Sequence, residues 1–212
     1  YEKIVLSQQK YNSTIIPFQR GNIEDSKGTV LVTSVDVYNV ILDSKVINAN
    51  KDCIETTLKY LKECFPEIDI DKAKEMIEKD KDNSYCILAK KVSYEEMSRF
   101  QALMDDEDTK DEISGIWFEK EYERKYPYGT LAAALLGFAT TGNTGIIGLE
   151  NYYNTTLNGV NGRSYGYLNT DSSFQETVVE PENGKTLITS LDVNIQSIVE
   201  TAVADFNLAH AT

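Results

Sequence analysis

The chain has 212 residues, 41% of them hydrophobic and 26% charged, the composition of an ordinary folded protein and not of a disordered one. Its 34 acidic side chains outnumber 21 basic ones for a formal net charge of -13, and no run of Lys or Arg interrupts the acidity, which excludes a phosphate-binding surface for nucleic acid. A chain of this length can bury a sizeable core, and a domain carrying a smaller inserted one is the expected organisation.

Residues 1–28 are polar and turn-rich, and Gly21, Asp25 and Gly28 favour a turn. Strands are predicted over 29–35 and 37–42, where β-branched and aromatic residues dominate around a single Asp36, as two paired strands or one long bent one. From Lys51 the apolar period changes to that of a helix, with Ile54, Leu58 and Leu61 on one stripe, Asp52 as the expected N-cap and Pro66 ending it. Ala73, Met76 and Ile77 mark a second helix. Residues 85–89 read as a strand, and Ser93 with Glu96 forms a capping box that opens a third helix through Leu103. The acidic run 105–108 reads as a solvated loop; it lacks the glycine and spacing of a calcium-binding EF-hand.

After Gly115 the chain is punctuated by glycine turns, none followed by the Lys-Ser or Lys-Thr of a phosphate-cradling loop. Residues 165–168 and 177–179 predict a hairpin, 181–184 a turn and 186–189 a strand. Asp192 then caps a helix whose apolar face is Ile195, Ile198, Val199, Ala202 and Phe206, and a neighbouring domain is expected beyond it. Cys53, Cys64 and Cys86 are odd in number and match neither a disulfide framework nor a zinc ribbon, so they are expected to be small core residues, with no metal and no cofactor. No stretch is long and apolar enough to span a membrane.

Four separated stretches resemble, in order and spacing, the N-terminal module of class B penicillin-binding proteins. They are 20–25 (Arg-Gly-Asn-Ile-Glu-Asp), 124–133 (Arg-Lys-Tyr-Pro-Tyr-Gly-Thr-Leu-Ala-Ala), 145–150 (Gly-Ile-Ile-Gly-Leu-Glu) continuing through 157–162, and 184–196. Two departures stand out: Ser26-Lys27-Gly28 replaces the family's Arg-Asn-Gly, and Ala134 stands where a histidine is common. The resemblance implies an α+β fold: an elongated strand-rich pedestal (1–49 and 113–212) with an inserted small α/β head subdomain (50–112) and a C-terminal linking helix. The transpeptidase domain would be absent. It further implies a single-pass membrane anchor upstream of Tyr1, a place on the outer face of the bacterial cytoplasmic membrane, and as partners a SEDS-type glycan polymerase, other cell-wall synthesis proteins and the missing transpeptidase domain.

That family's serine chemistry needs Ser-x-x-Lys, Ser-x-Asn and Lys-Thr-Gly together. Ser7-Gln8-Gln9-Lys10 fits the first by letter, in a polar stretch, and the other two do not occur, so no catalytic residue is assigned. The residues expected to matter are structural: Arg20, Gly21, Asp25, Arg124, Tyr126, Pro127, Gly129, Gly148, Glu150 and Gly162. A guanidinium fork can hold a carboxylate through parallel bonds, so Glu150 is expected to pair with Arg20, Arg124 or both. Gly21, Gly129, Gly148 and Gly162 are expected to allow turns or close approach. Tyr126 and Trp117 are expected in the core, and Glu121 and Glu123 on opposite faces of a strand. The reading that follows is a non-catalytic scaffold; the alternative is a free-standing extracellular module that binds glycan or peptide in a pocket lined by aromatics such as Tyr165 and Tyr167.

Overall fold

The computed structural model describes residues 12–168 and 174–210. In chain order the strands are β1 (Asn12–Ile16), β2 (Ile23–Glu24), β3 (Val30–Leu42), β4 (Cys86–Ser93), β5 (Ile116–Lys125), β6 (Ala139–Thr140), β7 (Thr144–Gly145), β8 (Gly162–Leu168), β9 (Phe174–Val179) and β10 (Leu187–Ile188). The helices are α1 (Ser44–Ala49), α2 (Ile54–Cys64), α3 (Ile70–Lys79), α4 (Tyr94–Asp105), α5 (Ala133–Leu136), α6 (Gly148–Tyr152), α7 (Asn154–Leu157) and α8 (Val193–His210). This is the expected α+β class. The chain divides into two compact units, Tyr1–Val35 with Arg124–Thr212, and Asp36–Glu123. The second is wider at both ends than 50–112, because the second half of β3, α1, the link before β5 and most of β5 carry Val40, Leu42, Ile47, Ile113 and Ile116 into its core.

In the first unit, β1, β8 and β9 form an antiparallel sheet, so the polar opening stretch contains a strand that sequence reasoning missed. The predicted hairpin is the β8–β9 pair; its turn, like Ser7, lies outside the described residues. The start of β3 pairs with β2, and β2 pairs in parallel with β10. Ile23, Leu31, Val32, Ala132, Leu136 and Leu157 make the buried cluster under these elements. Asp192 caps α8, its carboxylate accepting from the backbone of Asn194 at 3.0 Å and Ile195 at 3.3 Å. No residue of α8 is buried, and the stripe Ile195, Ile198, Val199 and Phe206 is open to solvent.

In the second unit, β3 is one long strand, and its register against β4 slips on either side of Val40. Lys91 takes up the slip with a left-handed φ of 58° while its backbone N–H donates to the Asn39 side chain. Helices α2, α3 and α4 bury Leu58, Leu61, Ala73, Ile77 and Phe100 against this sheet. The capping box of α4 is complete: Glu96 N–H donates to Ser93 Oγ and Ser93 N–H to Glu96 Oε2.

Four expectations for this unit are corrected. Asp52 is not an N-cap: Asn50 leads directly from α1 into a 3-10 turn over Lys51–Cys53, so Asp52 already sits inside a helical turn. Of the cysteines only Cys86 is buried, while Cys53 and Cys64 are half-buried at the ends of short helical segments. Trp117 is exposed and leans on exposed Tyr85 with ring centroids 5.8 Å apart, since its position on β5 points away from the helices. Glu121 and Glu123 lie two apart on β5 and therefore share a face, as Glu119 and Glu121 show by both accepting from Asn39.

Candidate functional site: a buried charge clasp

Three elements of the first unit converge on one carboxylate. Gly148, with a left-handed φ of 64°, turns the chain into α6, and a Cβ there would come within 2.4 Å of the Leu135 carbonyl oxygen. That turn sends Glu150 inward, where its side chain is 0% exposed. Arg20, also 0% exposed, reaches Glu150 Oε2 through Nε at 2.8 Å and Nη2 at 2.6 Å. Arg124, at the end of β5 and 7% exposed, donates from Nε to Glu150 Oε1 at 2.7 Å. Two guanidiniums thus share one carboxylate, each taking one of its oxygens. Burial pulls the Arg124 pKa below its ordinary value, opposed by the negative charge of Glu150.

All but one of the remaining guanidinium nitrogens are met by oxygens. Arg20 Nη2 donates to the Glu150 backbone carbonyl at 2.8 Å, and Nη1 to the Asn143 carbonyl and the side-chain oxygens of Asn154 and Asn158. Arg124 Nη1 donates to Ser34 Oγ at 3.0 Å, and Ser34 in turn donates to the Arg20 carbonyl at 3.1 Å. Among the described residues, Arg124 Nη2 is the one buried side-chain polar atom without a partner. Tyr126 is half-buried beside the cluster: its hydroxyl donates to Glu150 Oε1 at 3.5 Å and accepts from the Ala139 backbone at 3.2 Å. Burial first, and then the Glu150 charge, push the Tyr126 hydroxyl pKa up.

Arg20, Arg124, Tyr126 and Glu150 are therefore together, with Gly148 as the turn that delivers Glu150. Gly21 contributes by close approach, since a Cβ there would lie 2.0 Å from the Lys185 carbonyl oxygen; Gly162 is similarly crowded at the start of β8. Pro127 and Gly129 stand apart in the exposed turn after β5, closed by Gly129 N–H to the Tyr126 carbonyl at 3.0 Å. Ser34, Asn143, Asn154 and Asn158 were missed. The pair Asn154 and Asn158 carried a signal, being four residues apart on one helical face; the other two carried none.

Asp25 serves a different place. It is closed to solvent, and it accepts from the backbone of Lys27 and Thr29 at 2.8 Å each and of Val193 at 3.3 Å, so it ties the start of α8 to the turn after β2. Burial alone would raise its pKa, but the backbone donors Thr29, Lys27 and Val193 outweigh that and hold it below 3.8. Asp192 beside it is also lowered, chiefly by a hydrogen bond from Lys27. A depressed folded-state pKa contributes stability above the unfolded value and loses it as pH falls through the folded one. The urea midpoint should therefore fall when pH drops from about 5 to below about 3.8, and Asp25→Asn should flatten that fall. An unchanged slope in the variant would remove Asp25 from the acid response.

The family description "Penicillin-binding Protein dimerisation domain" matches residues 15–189. The chain belongs to that family. A peptidoglycan D,D-transpeptidase FtsI of Buchnera aphidicola subsp. Baizongia pistaciae is 28% identical over 188 residues, covering 85% of this chain and 31% of that protein. Stage V sporulation protein D of Bacillus subtilis is 26% identical over 208 residues, covering 94% of this chain and 30% of its own length. Among solved structures, penicillin-binding protein 2X of Streptococcus thermophilus aligns with a TM-score of 0.71 at 22% identity, over 92% of this chain and 31% of that one. Penicillin-binding protein PBP2 of Helicobacter pylori, solved in complex with MreC, aligns with a TM-score of 0.62 at 22% identity, over 93% of this chain and 39% of that one. The chain spans about a third of the length of these relatives, and what it matches is their non-catalytic dimerisation domain.

Proposed function

We propose that this dimerisation domain is a scaffold that positions a transpeptidase domain outside the cell, above the membrane, and meets a partner of cell-wall synthesis. Residues 1–49 and 113–212 serve as the pedestal and 50–112 as the inserted head. The observation that carries the reading is the clasp. Both oxygens of Glu150 are engaged by guanidiniums, so this buried carboxylate is not open to a substrate; what it does is tie three remote stretches together.

The relative solved with MreC lends support to a partner-binding role, and the partner favoured here is a SEDS-type glycan polymerase held in the membrane, beside the parent protein's own upstream anchor. The test is direct: the chain, immobilised, should retain a detergent-purified SEDS-type polymerase and should remain unmodified by a labelled β-lactam. Failure to retain the polymerase would remove it as partner, and covalent labelling would overturn the scaffold reading. Arg124 is unsuited to charge-reversal mapping of that contact, because its side chain is buried in the clasp.

A further inference from the structure

Behind the clasp lies a cavity of about 490 Å³, in the size range of small-ligand sites. Its lining includes Asn154, Asn158, Asn183, Lys185 and Glu182. The walls are held by backbone: Val160 and Glu182 exchange hydrogen bonds at 2.8 and 2.9 Å, and Lys185 N–H donates to the Thr156 carbonyl at 3.0 Å. Gly159 and Gly184 are packed so closely that a Cβ would come within 1.9 Å of the Glu182 and 1.7 Å of the Leu157 carbonyl oxygen.

The hydrogen-bond capacity of the asparagines in the lining leans towards donors. A carboxamide offers one accepting oxygen and one donating NH2. The Asn154 oxygen is taken by Arg20 Nη1 and the Gly145 N–H, the Asn158 oxygen by Arg20 Nη1, and the Asn183 oxygen by the Gln19 N–H. The Asn154 oxygen is thus fully engaged and those of Asn158 and Asn183 each hold one bond, while none of the three NH2 groups donates to a described residue. The Lys185 ammonium likewise has no side-chain partner among the described residues, although the chain as a whole is acidic. Donors and one cation face a single carboxylate, Glu182.

We propose that this cavity binds a carboxylate-bearing ligand of dipeptide or monosaccharide size, with Lys185 pairing its charge and the asparagine NH2 groups donating to its oxygens. The site is independent of the scaffold reading. Because Asn154 and Asn158 also hold Arg20, an occupied cavity is wired to the clasp through those two side chains.

The experiment follows side-chain NH2 and backbone signals in nitrogen-15 NMR spectra during titration with diglycine, glucuronate and, as the uncharged control, glucose. Diglycine represents a peptide terminus and glucuronate an acidic sugar. At least one of these two carboxylates should shift the asparagine NH2 signals with a Kd in the millimolar range, and glucose should not. Lys185→Met should weaken that binding by about tenfold, the worth of one charge-assisted hydrogen bond. Glu182→Gln should tighten it, since a like charge is removed. No shift with either carboxylate up to about 50 mM, well above a millimolar Kd, would overturn the proposal; so would equal shifts with glucose, or unchanged affinity in Lys185→Met.

Discussion

Glu150→Ala is expected to destabilise the protein by about 3–5 kcal/mol in urea unfolding, the cost of stranding a buried charge. Here the loss leaves two cations, Arg20 and Arg124, facing each other with no carboxylate between them, in a place closed to water. Glu150→Gln keeps the shape and one oxygen but not the charge, so it should recover only part of the loss. Water cannot replace the carboxylate without entering a cluster that also holds Tyr126, Ser34 and three asparagine oxygens around the same guanidiniums. A change below about 0.5 kcal/mol, ordinary for an innocuous surface substitution, would mean that the clasp carries no weight.

Phe100→Ala should cost about 3–5 kcal/mol, the range for emptying a fully buried aromatic site. Phe100 is 0% exposed on the inner face of α4, with its ring 5.8 Å from Phe65 and 5.9 Å, edge-on, from Phe118. Those rings come from α4, from the residue that closes α2 and from β5, so no single shift can refill the gap. Hydrogen exchange should locate the damage: protection falls within Asp36–Glu123, whose core is separate from the cluster around Ile23 and Leu157. Equal loss of protection in both units would show that their stabilities are not separable.

Much of this was readable in the sequence where a local rule operates. The Ser93 capping box, the Asp192 cap and the apolar stripes of α2 and α3 are decided within a few residues, and they stand as the patterns indicate. The elements that were missed depend on distant partners. β1 is a strand because β8 pairs with it, and its own residues are too polar to announce that. Helix α1 escaped because it is short, although Asp43 accepts from the Val46 N–H as its cap. Trp117 was misplaced by size alone, since hydrophobic bulk says nothing about which face of a strand a side chain takes. At the clasp, the charged residues were legible because their types are costly to bury alone, while the carbonyl of Asn143 and the hydroxyl of Ser34 that complete it are chemically anonymous until the fold brings them in.

Arg20 and Glu150 are 130 positions apart. At roughly 5–20 residues per second of synthesis, the first has been on the ribosome for several seconds before the second exists. Meanwhile Asp36–Glu123, a compact unit with a buried core of its own, is already complete in the chain. The layout therefore favours an order of assembly in which the inserted part can mature early, while the flanking halves await the acid that closes them.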